Sequence, residues 1–151
     1  MSIQLFFKNI NLRPQCKITI DNVTHYTGPV NSLIEIAQTI AGPYTLKIFF
    51  TDKLPSDTKV DNQGNIVEDK NFELDRIVID DYDIEELKWL SKYFSHDGNT
   101  YESCLFFGPN GSFELSFHLP ILHWILSNRN ESGWEEDYNH YQTACQLLKQ
   151  I

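Results

Sequence analysis

Residues 72–90 read FELDRIVIDDYDIEELKWL, a strand-like alternation that runs directly into a cluster of acids. Leu74, Ile77 and Ile79 supply an apolar side, while Asp75, Asp80, Asp81, Asp83, Glu85 and Glu86 crowd carboxylates into the same short segment. Such a strand belongs at the core of a β structure, and carboxylates so closely spaced need solvent, a cation or a basic partner around them.

On either side the same period of two recurs. Residues 3–10 form an apolar run of strand length. Cys16, Ile18 and Ile20 alternate with Lys17, Thr19 and Asp21, and Asp21-Asn22 supplies a turn into 23–27, a hairpin. Residues 31–40 fit a short helix or a strand and read as a strand beside their neighbours. Tyr44, Leu46, Ile48 and Phe50 alternate again, as do Phe113, Leu115, Phe117 and Leu119. Residues 104–107 read as a strand, joined to 113–119 through Gly108-Pro109-Asn110-Gly111 as a second hairpin. Between them, 51–71 and 95–102 read as polar loops, 83–93 as one or two helical turns, and 121–125 as a helical turn on the core. From Trp134 onward, Tyr138, Tyr141, Cys145 and Leu148 step at helical spacing. The expectation is an all-β chain: a jelly-roll-like antiparallel β-sandwich with short helical turns over 1–133, and a C-terminal amphipathic helix over 134–151 packed on it or on a partner.

Composition narrows the function classes. At 151 residues, 41% apolar and 13% aromatic, the chain can bury a core as one unit. A net charge of −9 disfavours nucleic acid and anionic membranes, whose recognition rests on lysine and arginine, and suits plain solubility or a basic protein partner. Cys16, Cys104 and Cys145 are too far apart for a disulfide framework or a zinc site. No basic segment precedes an apolar run at the N-terminus and no window reaches membrane-spanning length, so the expected site of synthesis is the cytoplasm. His25, His96, His118, His123 and His140 form no H-x-x-x-H pair, and no G-x-S-x-G, phosphate loop or Cys-x-x-Cys occurs. The acids of 51–71 miss the spacing of a helix-loop-helix calcium site. Paired carboxylates alone could still serve a glycan-processing enzyme, which leaves that alternative open.

The aromatic residues carry more information. Tyr82, Trp89, Tyr93, Phe94 and Tyr101 sit among acids and polar residues, where exposed rings could stack on sugars while carboxylates hold hydroxyls. The competing reading is core packing, which size favours for Trp89 and Phe94.

KITIDNVTHYTG at 17–28, YTLKIFFTDK at 44–53 and FELDRIVIDDYDI at 72–84, with a polar loop before the last, together resemble the strand run of small jelly-roll carbohydrate-binding modules, particularly the calcium-dependent xylan-binding kind. GPNGSFELSFHLPILHWIL at 108–126 resembles a continuation found in small structural proteins of tailed bacteriophages bearing such a module. The resemblance implies a non-catalytic binding or assembly module, made in a host cytoplasm and carried in a virion, with a glycan or other virion subunits as partners and a homo-oligomer as an option. It implies that Asp80, Asp81 and Asp83 bind a sugar's hydroxyls or a calcium ion, and a ligand met by Tyr82, Trp89, Asp97 and Tyr101. An acidic inhibitor of a basic host protein is the further alternative.

Overall fold

Alternation along each strand decides which residues form the core. The computed structural model describes residues 1–37 and 42–129. Two antiparallel sheets carry the fold. One is built from β1 (Ser2–Asn11), β4 (Leu33–Ala37), β8 (Asn71–Ile79), β9 (Tyr82–Asp83) and β12 (Phe106–Phe107). Its order is β12-β8-β1-β4, with β9 also on β8. The other runs β11 (Thr100–Glu102), β10 (Lys92–Ser95), β13 (Gly111–Phe117), β5 (Tyr44–Phe50), β2 (Gln15–Ile20) and β3 (Val23–Pro29). The small hairpin of β6 (Lys59–Val60) and β7 (Ile66–Glu68) stands apart, and α1 (Ile121–Ser127) follows β13.

The inward faces meet as one core. Ile3, Leu5 and Phe7 of β1 join Phe72, Leu74, Ile77 and Ile79 of β8, opposite Ile18, Ile20, Leu46, Ile48, Phe50, Phe113 and Leu115. An aromatic cluster lies within it, with Phe72 stacked on Phe107 at 4.3 Å between centroids and edge-on to Phe50 and Phe7 at 5.2 and 5.7 Å. The antiparallel sandwich expected from alternation is therefore the fold observed. Residues 33–37 are strand, and the Asp21-Asn22 hairpin closes with both residues at positive φ, 50° and 66°, as a two-residue turn with matching twist requires.

Three expectations need correction. The segments flanking Gly108–Gly111 are not a hairpin. Phe106–Phe107 pairs with β8 in one sheet, whereas Gly111–Phe117 pairs with β10 and β5 in the other, so the turn residues carry the chain across the sandwich. Residues 95–102 are not a plain loop, because Asp97-Gly98 turns a hairpin between β10 and β11. This hairpin buries Tyr93 and leaves Phe94 on the outer side, so the core reading fails for Phe94. Residues 83–93 hold a 3-10 turn at Glu85–Leu90 and then enter β10. The C-terminal helix expected over 134–151 lies outside the described residues.

The long polar segment 51–71 is folded, and its neck is built from charge. Lys53 Nζ lies 2.7 Å from Asp69 Oδ1 and donates to the Gly108 carbonyl at 2.7 Å. Lys70 Nζ sits 3.4 Å from both Asp52 and Asp57. Asn110 accepts from the Lys53 N–H at 3.0 Å and donates to the Lys53 carbonyl at 2.9 Å, so one side chain does the work of a paired strand. Burial alone would raise the pKa of Asp69, but hydrogen bonds from Lys53 and Thr58 and the Lys53 charge outweigh it and hold it low. Asp57 is held low by the Leu54 N–H and then by Lys70. Carboxyls depressed by folding add stability that is present above the ordinary carboxylate range and lost as pH falls through their lowered values. Lys53→Met removes the cation and leaves a part-buried carboxylate behind, so we expect a loss of about 2 kcal/mol. With Asp69 no longer depressed, its share of the pH dependence disappears, so the gap in melting temperature between the wild type and the variant should narrow as pH falls through the lowered value. Thermal melts across acid pH, with limited proteolysis of 54–68, check both effects.

Candidate ligand-binding cleft

The register of β8 positions the site. Phe6 pairs with Arg76 and Phe7 with Leu74, which leaves Asp75 as the extra residue of a bulge. The bulge turns both Asp75 and Arg76 away from the core, and inward alternation restarts at Ile77. Along the far edge of β8, β12 takes Phe72–Glu73 and β9 takes Val78–Ile79, so the strand between them is left for other partners. Lys88 reaches into that gap and donates to the Asp75 carbonyl at 2.7 Å.

A cleft of about 520 Å³ opens beside this gap. Glu73 and Asp75 of β8 and Lys8 of β1 line one side; Lys88 and Trp89 of the 3-10 turn, Tyr101 and Glu102 of β11, and 103–106 line the rest. Three rings at its margin are half-exposed: Trp89 at 47%, Tyr101 at 43% and Phe106 at 44%. Burying rings is favourable, so rings left this open in a fold that buries Tyr93 and Phe107 completely are available to a ligand. The elements that carry them are tied together. Ser103 Oγ donates to the Trp89 carbonyl at 2.6 Å and the Ser103 N–H to the Ser91 carbonyl at 2.9 Å, which fixes the Trp89 segment against the Tyr101 segment before any ligand arrives.

Of the candidates named from sequence, Trp89 and Tyr101 converge here, and the core reading of Trp89 fails. Tyr82, 38% exposed on β9, does not line the cleft. Asp97 stands in the β10–β11 turn, where its carboxylate accepts from the Asn99 N–H at 2.9 Å, the bond that does most to lower its pKa. Phe106, Glu73 and Glu102 were not singled out, and Asp75 only as one acid of the 72–90 cluster. Phe106 carried a readable signal, since two adjacent phenylalanines in one strand must face opposite sides.

No protein-family model matches the chain, and no curated protein sequence matches it. Solved structures do. The module vCBM60 in complex with galactobiose superposes with a TM-score of 0.55 at 13% identity, over 77% of this chain and 98% of that one. A selenomethionine form of vCBM60, from work linking two families of calcium-dependent carbohydrate binding modules by circular permutation, gives a TM-score of 0.55 at 11% identity over 76% and 89%. The chain has the fold of a carbohydrate-binding module. At this identity the likeness fixes the architecture of the module, and its site must be read from its own residues.

Asp80 and Asp81 form the two-residue turn of the β8–β9 hairpin, with φ of 48° and 68°. Aspartate is among the residues that tolerate this backbone, which explains the pair without a ligand. Asp80 Oδ1 accepts from the Ser2 N–H at 2.9 Å. Asp83 accepts from the Glu85 N–H at 2.8 Å and lies 3.6 Å from Arg76. Among the described residues, no three of His, Cys, Asp and Glu gather as a group fit to hold a metal ion, at Asp80, Asp81 and Asp83 or elsewhere. Asp81→Asn, which keeps the turn and removes the charge, should leave stability within about 0.5 kcal/mol, whereas Asp81→Ala should cost about 1 kcal/mol through the left-handed backbone. Urea titration of both variants reads the difference; an equal loss in Asp81→Asn would show that the carboxylate, and not the backbone, sets the residue.

The thiols divide in the same way. Burial, then the charge of Asp52, pushes the Cys16 thiol up to about 12, whereas Cys104 lines the cleft with Sγ 3.3 Å from the Phe106 carbonyl. Among the described residues no helix is long and apolar enough to cross a membrane.

Proposed function

We propose that this protein is a non-catalytic carbohydrate-binding module that holds a glycan in the cleft between β8, the 85–90 turn and β11. The observation that carries the reading is the convergence of Trp89, Tyr101 and Phe106 with carboxylates and a serine in one preformed cleft. Sugar rings present C–H faces that pack on aromatic rings, and hydroxyls that donate to carboxylates and carbonyls; the cleft offers both kinds of surface side by side. The shared fold of modules that bind carbohydrate supports the same reading.

Binding of the purified protein to a panel of polysaccharides, by affinity electrophoresis and tryptophan fluorescence, tests it. Retention on at least one glycan is expected, and because the cleft supplies its own contacts, retention should persist in chelator. No retention under either condition would transfer weight to an assembly role. The exposed aliphatics of the β6–β7 hairpin, Val60, Ile66 and Val67 at 58–64% exposure, favour that second reading. In the virion setting implied by the resemblance, it predicts that the protein copurifies with particles.

A further inference from the structure

The charges around the cleft are unequal. Glu73, Asp75 and Glu102 bring three carboxylates, and Lys8 and Lys88 bring two ammonium groups. Both ammonium groups already have oxygen partners. Lys8 Nζ lies 3.4 Å from Asp75 and 3.9 Å from Glu73, and Lys88 donates to the Asp75 carbonyl. Glu102 is differently placed: its side chain is 70% exposed and its contact with Lys92 is a loose 3.6 Å. Three aromatic rings stand at the same margin, each with a π-face that carries partial negative charge.

Resting on the reading of the cleft as a glycan site, we infer that it selects sugars bearing a free, protonated amine over neutral sugars and rejects uronates and sulfated sugars. A protonated amine on a pyranose would meet two attractions that a hydroxyl does not, the carboxylate of Glu102 and the ring faces of Trp89 and Tyr101. A uronate or sulfate would meet Glu73, Asp75 and Glu102, and the lysines near them, Lys8, Lys88 and Lys92, each already have an oxygen partner. The net charge of −9 acts in the same direction at longer range.

Short oligomers isolate the effect from avidity. Affinities of the full chain for β-linked oligomers of glucosamine, N-acetylglucosamine and glucose, in mildly acidic buffer, should favour the first by about three- to thirtyfold. The preference should shrink toward parity in about 0.5 M salt, because the contact with Glu102 is exposed and screened. Glu102→Gln should remove most of the salt-sensitive part of the preference for the glucosamine oligomer. Trp89→Ala should lose binding to all three. Equal affinity for the three oligomers would overturn the selectivity and leave the glycan reading standing. Retention of glucosamine binding by Trp89→Ala would place the attraction on the general surface charge and overturn the inference in the same way. Absence of binding to these oligomers and to the whole polysaccharide panel would overturn the glycan reading itself.

Discussion

Phe72→Ala is expected to remove about 3–5 kcal/mol of folding stability, against a total of about 5–15 kcal/mol for a domain of ordinary stability. The side chain is fully buried near the start of β8, and three other rings rest on it. Truncation strips the stacked face of Phe107 and the edges of Phe7 and Phe50 at once. These residues come from four separate strands, so the surrounding chain cannot close the cavity by shifting one element. Urea denaturation should show a much lower midpoint with little change in slope. A loss under about 1 kcal/mol would mean that the aromatic cluster repacks to fill the space of the missing ring.

Trp89→Ala is expected to weaken glycan binding by about ten- to a hundredfold while leaving the fold intact. The ring is 47% exposed and lines the cleft, and the hydrogen bond that anchors its segment is made by its backbone carbonyl, which alanine retains. Stability should therefore change by about 0.5 kcal/mol or less. Phe94→Ala is the matched control, since Phe94 is similarly exposed but lies on β10 outside the cleft. Isothermal titration of both variants against the best glycan of the panel separates the two positions; equal losses would remove the cleft from the argument.

The strands that define the sandwich were legible because each carries its own period. Tyr44, Leu46, Ile48 and Phe50 alternate without interruption, and the structure buries all four. Local chemistry also sufficed for the Asp21-Asn22 hairpin. It failed at Gly108-Pro109-Asn110-Gly111, because a turn between paired strands and a link between sheets use the same residues, and only the partners of Phe107 and Phe113 distinguish them. Asp80-Asp81 drew attention as carboxylates when the backbone required them as turn residues. The cleft was half legible. Trp89 and Tyr101 stood out as rings among acids, but their meeting with Asp75 depends on a bulge and on contacts between distant segments, neither of which leaves a local pattern.

The neck of 51–71 has a consequence for how this protein can change over time. Its clasp is made by Asp52, Lys53, Asp57, Thr58, Asp69, Lys70 and Asn110, so the chain between Thr58 and Asp69 reports nothing to the sandwich about its own length. Closing a loop of twice the length costs only about 0.6 kcal/mol more. The tip at 61–65 is therefore a natural point of insertion, where new sequence could accumulate or be grafted as a second recognition surface without renegotiating the fold that carries the first.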